Sequence, residues 1–165
     1  PGMCISEATN ISEGRGTHKP FKQIGAPWMN YDIAKELKGL KIKGAEINYA
    51  KFKPRSIPGK SENPKFKGEL CLGFQTTVSD RFTYRSLNTA IESIYINFAF
   101  YPDNLRFKQN RMGKLFGNNN LFKLVTGKLL NENKKKIRVP SGLINMIEKD
   151  SEKFKSFSMP YHLYN

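Results

Sequence analysis

Two carboxylates, a guanidinium, a carboxamide and several hydroxyls crowd into one stretch near the start of the chain, Cys4-Ile5-Ser6-Glu7-Ala8-Thr9-Asn10-Ile11-Ser12-Glu13-Gly14-Arg15-Gly16-Thr17. A loop that only joins two elements has no need of that mixture, whereas binding and catalytic side chains concentrate on loops held by a scaffold. Gly14 and Gly16 flank Arg15, so the backbone there is free to take positive φ or to approach a ligand closely. A guanidinium held in such a turn suits a carboxylate or a phosphate, which it grips through two parallel hydrogen bonds. Asn10 carries both a donor and an acceptor, a match for sugar hydroxyls or an N-acetyl group. Glu7 and Glu13 have the chemistry of a general acid, a general base or a plain hydrogen-bond acceptor. The competing reading is an internal Glu–Arg ion pair that pins the loop. Gly-Arg-Gly is neither a Walker loop nor a dinucleotide fingerprint.

Other candidates are weaker. Glu69 lies at the mouth of a strand-like run, where a solvated strand end competes with a cleft position. Asp80 reads as a helix N-cap or salt-bridge partner. Trp28, after Ala26-Pro27, is a core plug or a stacking surface for a sugar. His18 and His162 have no partner at ligand spacing and there is no CxxC, so neither a metal nor a cofactor is expected. Cys4 and Cys71 fall on strand-like segments and read as buried thiols, with a disulfide open to them in an oxidising compartment.

The elements that must position these residues alternate a few strands with several helices, an α+β pattern that predicts a small mixed sheet with packed helices. Residues 2–6 read as a short strand leading into the motif, and residues 8–28 as irregular because of Gly14, Gly16, Pro20, Gly25 and Pro27. Asn30 predicts an N-cap for a helix over 31–38 with Ile33, Ala34 and Leu37 on one face, ended by Gly39. Strands are expected over 43–52 and 69–78, separated by a Pro/Gly/Ser/Lys-rich loop. Leu87, Ile91, Ile94 and Phe98 recur at helical spacing and predict a helix over 84–99, stopped by Pro102. Shorter helices are expected over 111–116 and 120–125. The last begins at Ser141 with Leu143, Ile147, Phe154 and Phe157 as its buried stripe, and Pro160 bars the tail from extending it.

At 165 residues, 38% hydrophobic and 12% aromatic, the chain is long and apolar enough for one domain with a real core. Its longest apolar run, Ile94 to Tyr101, is broken by Asn97, so no membrane span is expected. The net charge of +14 admits an anionic partner, but the excess is mostly dispersed Lys. Asn, Ile and Phe are abundant too, and AT-rich codons account for such a bias. The one dense cluster, Lys134-Lys135-Lys136 with Arg138, reads as a solvated loop. Without clustered basic residues on a helix or interleaved aromatics, nucleic acid is not an expected partner. A start at Pro1, inside a strand-like segment, is read as that of a C-terminal piece of something longer.

The run Cys4 to Thr17, with Lys19-Pro20-Phe21 and Ile24-Gly25-Ala26-Pro27-Trp28, resembles the signature of the NamZ-like exo-β-N-acetylmuramidases. Phe66-Lys67-Gly68-Glu69-Leu70-Cys71, Val78-Ser79-Asp80-Arg81 and Tyr161-His162-Leu163-Tyr164 extend the resemblance, in order, over nearly the whole chain. It implies a single C-terminal domain over residues 1–165, with an N-terminal Rossmann-like domain absent from this chain and an active site in the cleft between them. It further implies a glycosidase, secreted or periplasmic, that removes terminal N-acetylmuramic acid from peptidoglycan fragments. The family's catalytic glutamate would lie in the N-terminal domain. The resemblance puts Glu7, Asn10, Glu13, Arg15 and Gly16 on the cleft wall, with Thr17 beside them. Glu7 and Glu13 are the catalytic candidates of this chain; Asn10, Arg15, Gly16 and Thr17 are the substrate-binding ones, with Arg15 on the lactyl carboxylate and Asn10 on the N-acetyl group. Ala8 stands where the family has Gly, and Ser6 where it has a bulky apolar residue, which leaves room for a non-catalytic module that binds cell-wall sugars.

Overall fold

The structure, a computed structural model, describes residues 2–116, 138–139 and 141–162. The expected helix over 120–125, the Lys134–Lys136 cluster and the final Leu163-Tyr164 lie outside the described residues.

Gly2–Ala8 form a 3₁₀ helix, not the expected strand. Met3 and Ile5 mimic strand alternation, but Ile5 and Ala8 are also three apart and both buried, which fits three residues per turn. The helix packs on α2 (Ser86–Phe100) and α3 (Gln109–Phe116). Ala8 is not among the residues of positive φ, so its position asks for no left-handed backbone here.

The sheet consists of β1 (Gln23–Ala26), β2 (Ala45–Phe52) and β3 (Cys71–Val78) in the order β1-β3-β2. The α+β class holds, but both pairings are antiparallel where a mixed sheet was expected. β1 falls within the stretch expected to be irregular. Gly25, read as a breaker, faces Gly73 across the β1–β3 pair. A Cβ on Gly73 would overlap the Ile24 carbonyl, so this glycine pair lets two backbones approach and belongs to the strands.

α1 (Asp32–Gly39) buries Ile33, Ala34 and Leu37 as expected, but the N-cap is Tyr31 and not the expected Asn30; Asn30, one residue earlier, accepts the Asp32 N–H on Oδ1 at 2.9 Å. α2 is buried on most of its surface; Asn97 lies fully inside and donates Nδ2–H to the Ser93 carbonyl at 2.8 Å. Ile11, Ile24, Leu37, Phe74, Ile91 and Tyr95 belong to the main core on one face of the sheet. On the other face, Ala50, Phe52 and Cys71 form a small second cluster under Phe66. Cys4 and Cys71 are free, and burial pushes the Cys71 thiol up to about 12, which makes it inert packing.

α4 (Ser141–Ser158) buries Leu143 and Ile147, but Phe154 and Phe157 are 68% and 67% exposed. The predicted stripe is geometrically sound, yet only its first half meets the described core. The α-helix ends at Ser158, as expected from Pro160, and a 3₁₀ turn, Met159–Tyr161, follows with Pro160 in its first turn. Among the described residues no helix is long and apolar enough to cross a membrane, and no group of three His, Cys, Asp or Glu could hold a metal.

Candidate functional site

The motif runs as a rail between two segments. On one side it follows residues 104–108. Asn10 Nδ2–H donates to the Asn104 carbonyl at 2.8 Å, Asn10 Oδ1 accepts the Arg106 N–H at 2.8 Å, and Lys108 N–H donates to the Ala8 carbonyl at 2.7 Å. On the other, Ser12 and Gly25 exchange backbone hydrogen bonds at 2.9 and 3.0 Å. Gly14 and Gly16 have φ of 76° and 79°, a left-handed backbone that favours glycine, so Arg15 projects from a tight turn. A Cβ on Gly16 would press on the Arg55 carbonyl at 2.5 Å and on the Pro64 ring. Thr17 locks the turn: Oγ1 donates to the Gly14 carbonyl at 2.6 Å and accepts from Gln23 Nε2 at 2.8 Å.

Five charges meet in a chain. Arg111 Nη2 is 2.6 Å from Glu7 Oε2, Glu7 Oε1 is 2.7 Å from Arg15 Nη2, Arg15 Nε is 3.4 Å from Glu13 Oε1, and Glu13 Oε2 is 2.8 Å from Lys65 Nζ. Lys65 also donates to the Ser6 and Ile11 carbonyls, each at 2.9 Å, and so staples the motif from beneath. Ser6 contributes here through its backbone, which any residue at that position could supply. The carboxylates are sheltered, with side chains 13% (Glu7) and 5% (Glu13) exposed, whereas Arg15 is 43% exposed. Arg15 Cζ also lies 4.9 Å from the centroid of the Phe21 ring.

The hydrogen bond from Arg15, with that from Arg111 and against the desolvation that burial imposes, holds the Glu7 carboxyl below its ordinary range. Glu7 raises Arg15 in return. Burial pulls the Lys65 ammonium down, and the Glu13 carboxylate opposes it. Two phenylalanines beside this cluster, Phe21 and Phe66, hold left-handed backbone with φ of 60° and 56°. Such strain costs of the order of 1–3 kcal/mol each.

The structure therefore brings Glu7, Glu13 and Arg15 together, and the internal ion pair weighed against a ligand grip is present. Asn10, Gly16 and Thr17 spend their polar groups or their shape on the loop. Sequence reasoning missed Lys65, Arg111 and Phe21. Lys65 is one lysine in a lysine-rich loop and Arg111 lies on a distant helix, so neither carried a local signal; Phe21 stood inside the motif. Asp80 caps its own turn, accepting from Phe82 N–H at 2.8 Å and Thr83 Oγ1 at 2.9 Å. Trp28 packs edge-on against Tyr101 at 5.3 Å, while Glu69 and His18 are exposed. Phe21 also lines a groove of about 930 Å³ that includes Lys19, Lys22, Thr76 and Arg81.

Fold and site together define a small α+β domain that mounts a carboxylate-braced arginine on a glycine-flanked turn. The chain belongs to the family of the C-terminal domain of the exo-β-N-acetylmuramidase NamZ, whose model matches residues 1–164. It is 31% identical over 166 residues to the peptidoglycan β-N-acetylmuramidase NamZ of Bacillus subtilis (strain 168), covering 99% of this chain and 36% of that protein. Two DUF1343 family proteins of Bacteroides fragilis NCTC 9343 have similar structures. One has a TM-score of 0.79 at 18% identity, with 100% of this chain and 41% of that one covered; the other has 0.60 at 25%, with 100% and 39% covered.

Proposed function

We propose that this chain is the C-terminal part of a secreted or periplasmic glycoside hydrolase that releases terminal N-acetylmuramic acid from peptidoglycan fragments. In this reading the Arg15 face forms one wall of a cleft shared with an N-terminal Rossmann-like domain. The observation that carries it is the state of Arg15, braced by two sheltered carboxylates yet 43% exposed. Glu7 takes Nη2 and Glu13 takes Nε, so Nη1 has no hydrogen-bond partner among the described residues. That outward edge meets the lactyl carboxylate of muramic acid in the paired geometry a guanidinium favours. Asn10 supports the wall by fixing residues 104–106 against the motif.

The two glutamates act as a brace. Glu7, held ionised between two arginines, is a poor proton donor, so the general acid comes from the partner domain. An N-acetyl sugar can supply its own nucleophile, and such a site then needs no second carboxylate attacking the ring. The test is hydrolysis of a chromogenic N-acetylmuramic acid glycoside by the full-length protein. Arg15→Ala removes a charge-assisted hydrogen bond worth about 1.5–3 kcal/mol, which is about a 10- to 100-fold rise in KM. An unchanged KM in that variant removes Arg15 from substrate binding. Sugar binding without turnover by the wild-type protein leaves a non-catalytic cell-wall module instead.

A further inference from the structure

The groove of about 930 Å³ beside the Arg15 cluster has a composition of its own. Lys19, Lys22 and Arg81 line it, no Asp or Glu does, and none of the three cations pairs with a carboxylate among the described residues. Two of these cations are oriented in advance. Lys19 Nζ donates to Gln75 Oε1 at 2.8 Å, and Arg81 Cζ lies 5.0 Å from the centroid of the exposed Phe82 ring. Phe21 and Tyr84 add aromatic surface to the lining. Gln75 and the exposed Thr77 add polar side chains to the lining. Cations, ring faces and polar side chains are what an acidic sugar needs: charge for its carboxylate, apolar surface for its C–H face, and polar groups for its hydroxyls. The volume falls within the range of pockets that enclose small ligands.

Position gives the groove its role. Phe21 lines it and also carries the Arg15 guanidinium on its ring, so groove and cluster share one residue as a common wall. Peptidoglycan strands freed of their peptide stems bear a lactyl carboxylate on every second sugar, so such a strand gripped at its terminal muramic acid presents a second carboxylate further along. We propose that this groove is a second subsite, which binds the carboxylate of the next muramic acid and makes the domain selective for glycan chains longer than a disaccharide. The assignment rests on the function proposed above.

The experiment compares full-length wild-type protein with Lys22→Gln/Arg81→Gln on a peptide-free disaccharide and tetrasaccharide from peptidoglycan, each with N-acetylmuramic acid at its non-reducing end. Both substituted side chains are exposed, and a thermal melt of each protein verifies the fold. The wild type is expected to favour the tetrasaccharide about tenfold in kcat/KM, and the double variant to lose that preference, as one charge-assisted contact predicts. Raised salt is expected to erode the preference in the wild type. Equal efficiency on the two substrates in the wild type, or an unaltered preference in the variant, overturns the subsite. If neither substrate is turned over, the proposed function fails by itself and the groove is judged by tetrasaccharide binding: a tenfold weakening in the variant supports it and none overturns it. Equal competition by a short polyphosphate, with the same dependence on Lys22 and Arg81, also overturns it in favour of a general anion groove.

Discussion

At the scale of residues, the site is a row of alternating charges, and its behaviour with pH follows from Glu7. Its folded pKa lies below the ordinary 4.5, chiefly through Arg15. A carboxylate depressed in this way adds stability that is complete above its unfolded pKa and is lost as pH falls through the folded one. Glu7→Gln removes that contribution at every pH. The melting-temperature gap between wild type and Glu7→Gln is thus expected to be constant from about pH 8 to 5 and to close at lower pH. A gap that does not narrow as pH falls below the ordinary 4.5 contradicts the ion-pair account of Glu7. Glu7, Glu13 and Arg15 were legible because they sit within one short motif. Lys65 and Arg111 were not, since the chain brings them in from 58 and 104 positions away from Glu7.

At the scale of elements, two glycines with opposite roles show what the strands and helices require. Gly73 sits where β3 passes β1, and a Cβ there would overlap the Ile24 carbonyl. Gly73→Ala forces that pair apart and is expected to destabilise the chain by about 1–3 kcal/mol in urea unfolding. Gly39, the last residue of α1, has nothing within 4 Å of an added Cβ. Gly39→Ala is expected to stabilise by about 0.4–1 kcal/mol, because the substitution mainly restricts the unfolded chain. If both changes prove neutral, the close β1–β3 contact is wrong. Helices α1 and α2 were readable from side-chain spacing, since burial on one face follows the helical repeat. The opening 3₁₀ helix and β1 were not: short elements carry too few residues to establish a period, and their conformation is decided by what they pack on.

At the scale of the whole molecule, the outer half of α4 sets Phe154 and Phe157 in solvent while Leu143 and Ile147 anchor its inner half. In the chain of residues 1–165, Leu143→Ala is expected to cost about 2–5 kcal/mol. Phe154→Ser and Phe157→Ser are expected to cost less than about 1 kcal/mol each. Comparable losses from all three would mean that the stripe is buried throughout. The chain also spans only 36% of the curated relative it matches. By itself the sequence determined what local order encodes: the α+β class, the principal helices, the family, and the loop on which chemistry gathers. Only the tertiary structure decided that Arg15 is braced by Glu7 and Glu13, that Lys65 and Arg111 complete the cluster, and that a cationic groove shares Phe21 with it. Periodicity and motif spacing act through neighbours along the chain, whereas ion pairs and grooves form between segments whose meeting is set by the packing of the core.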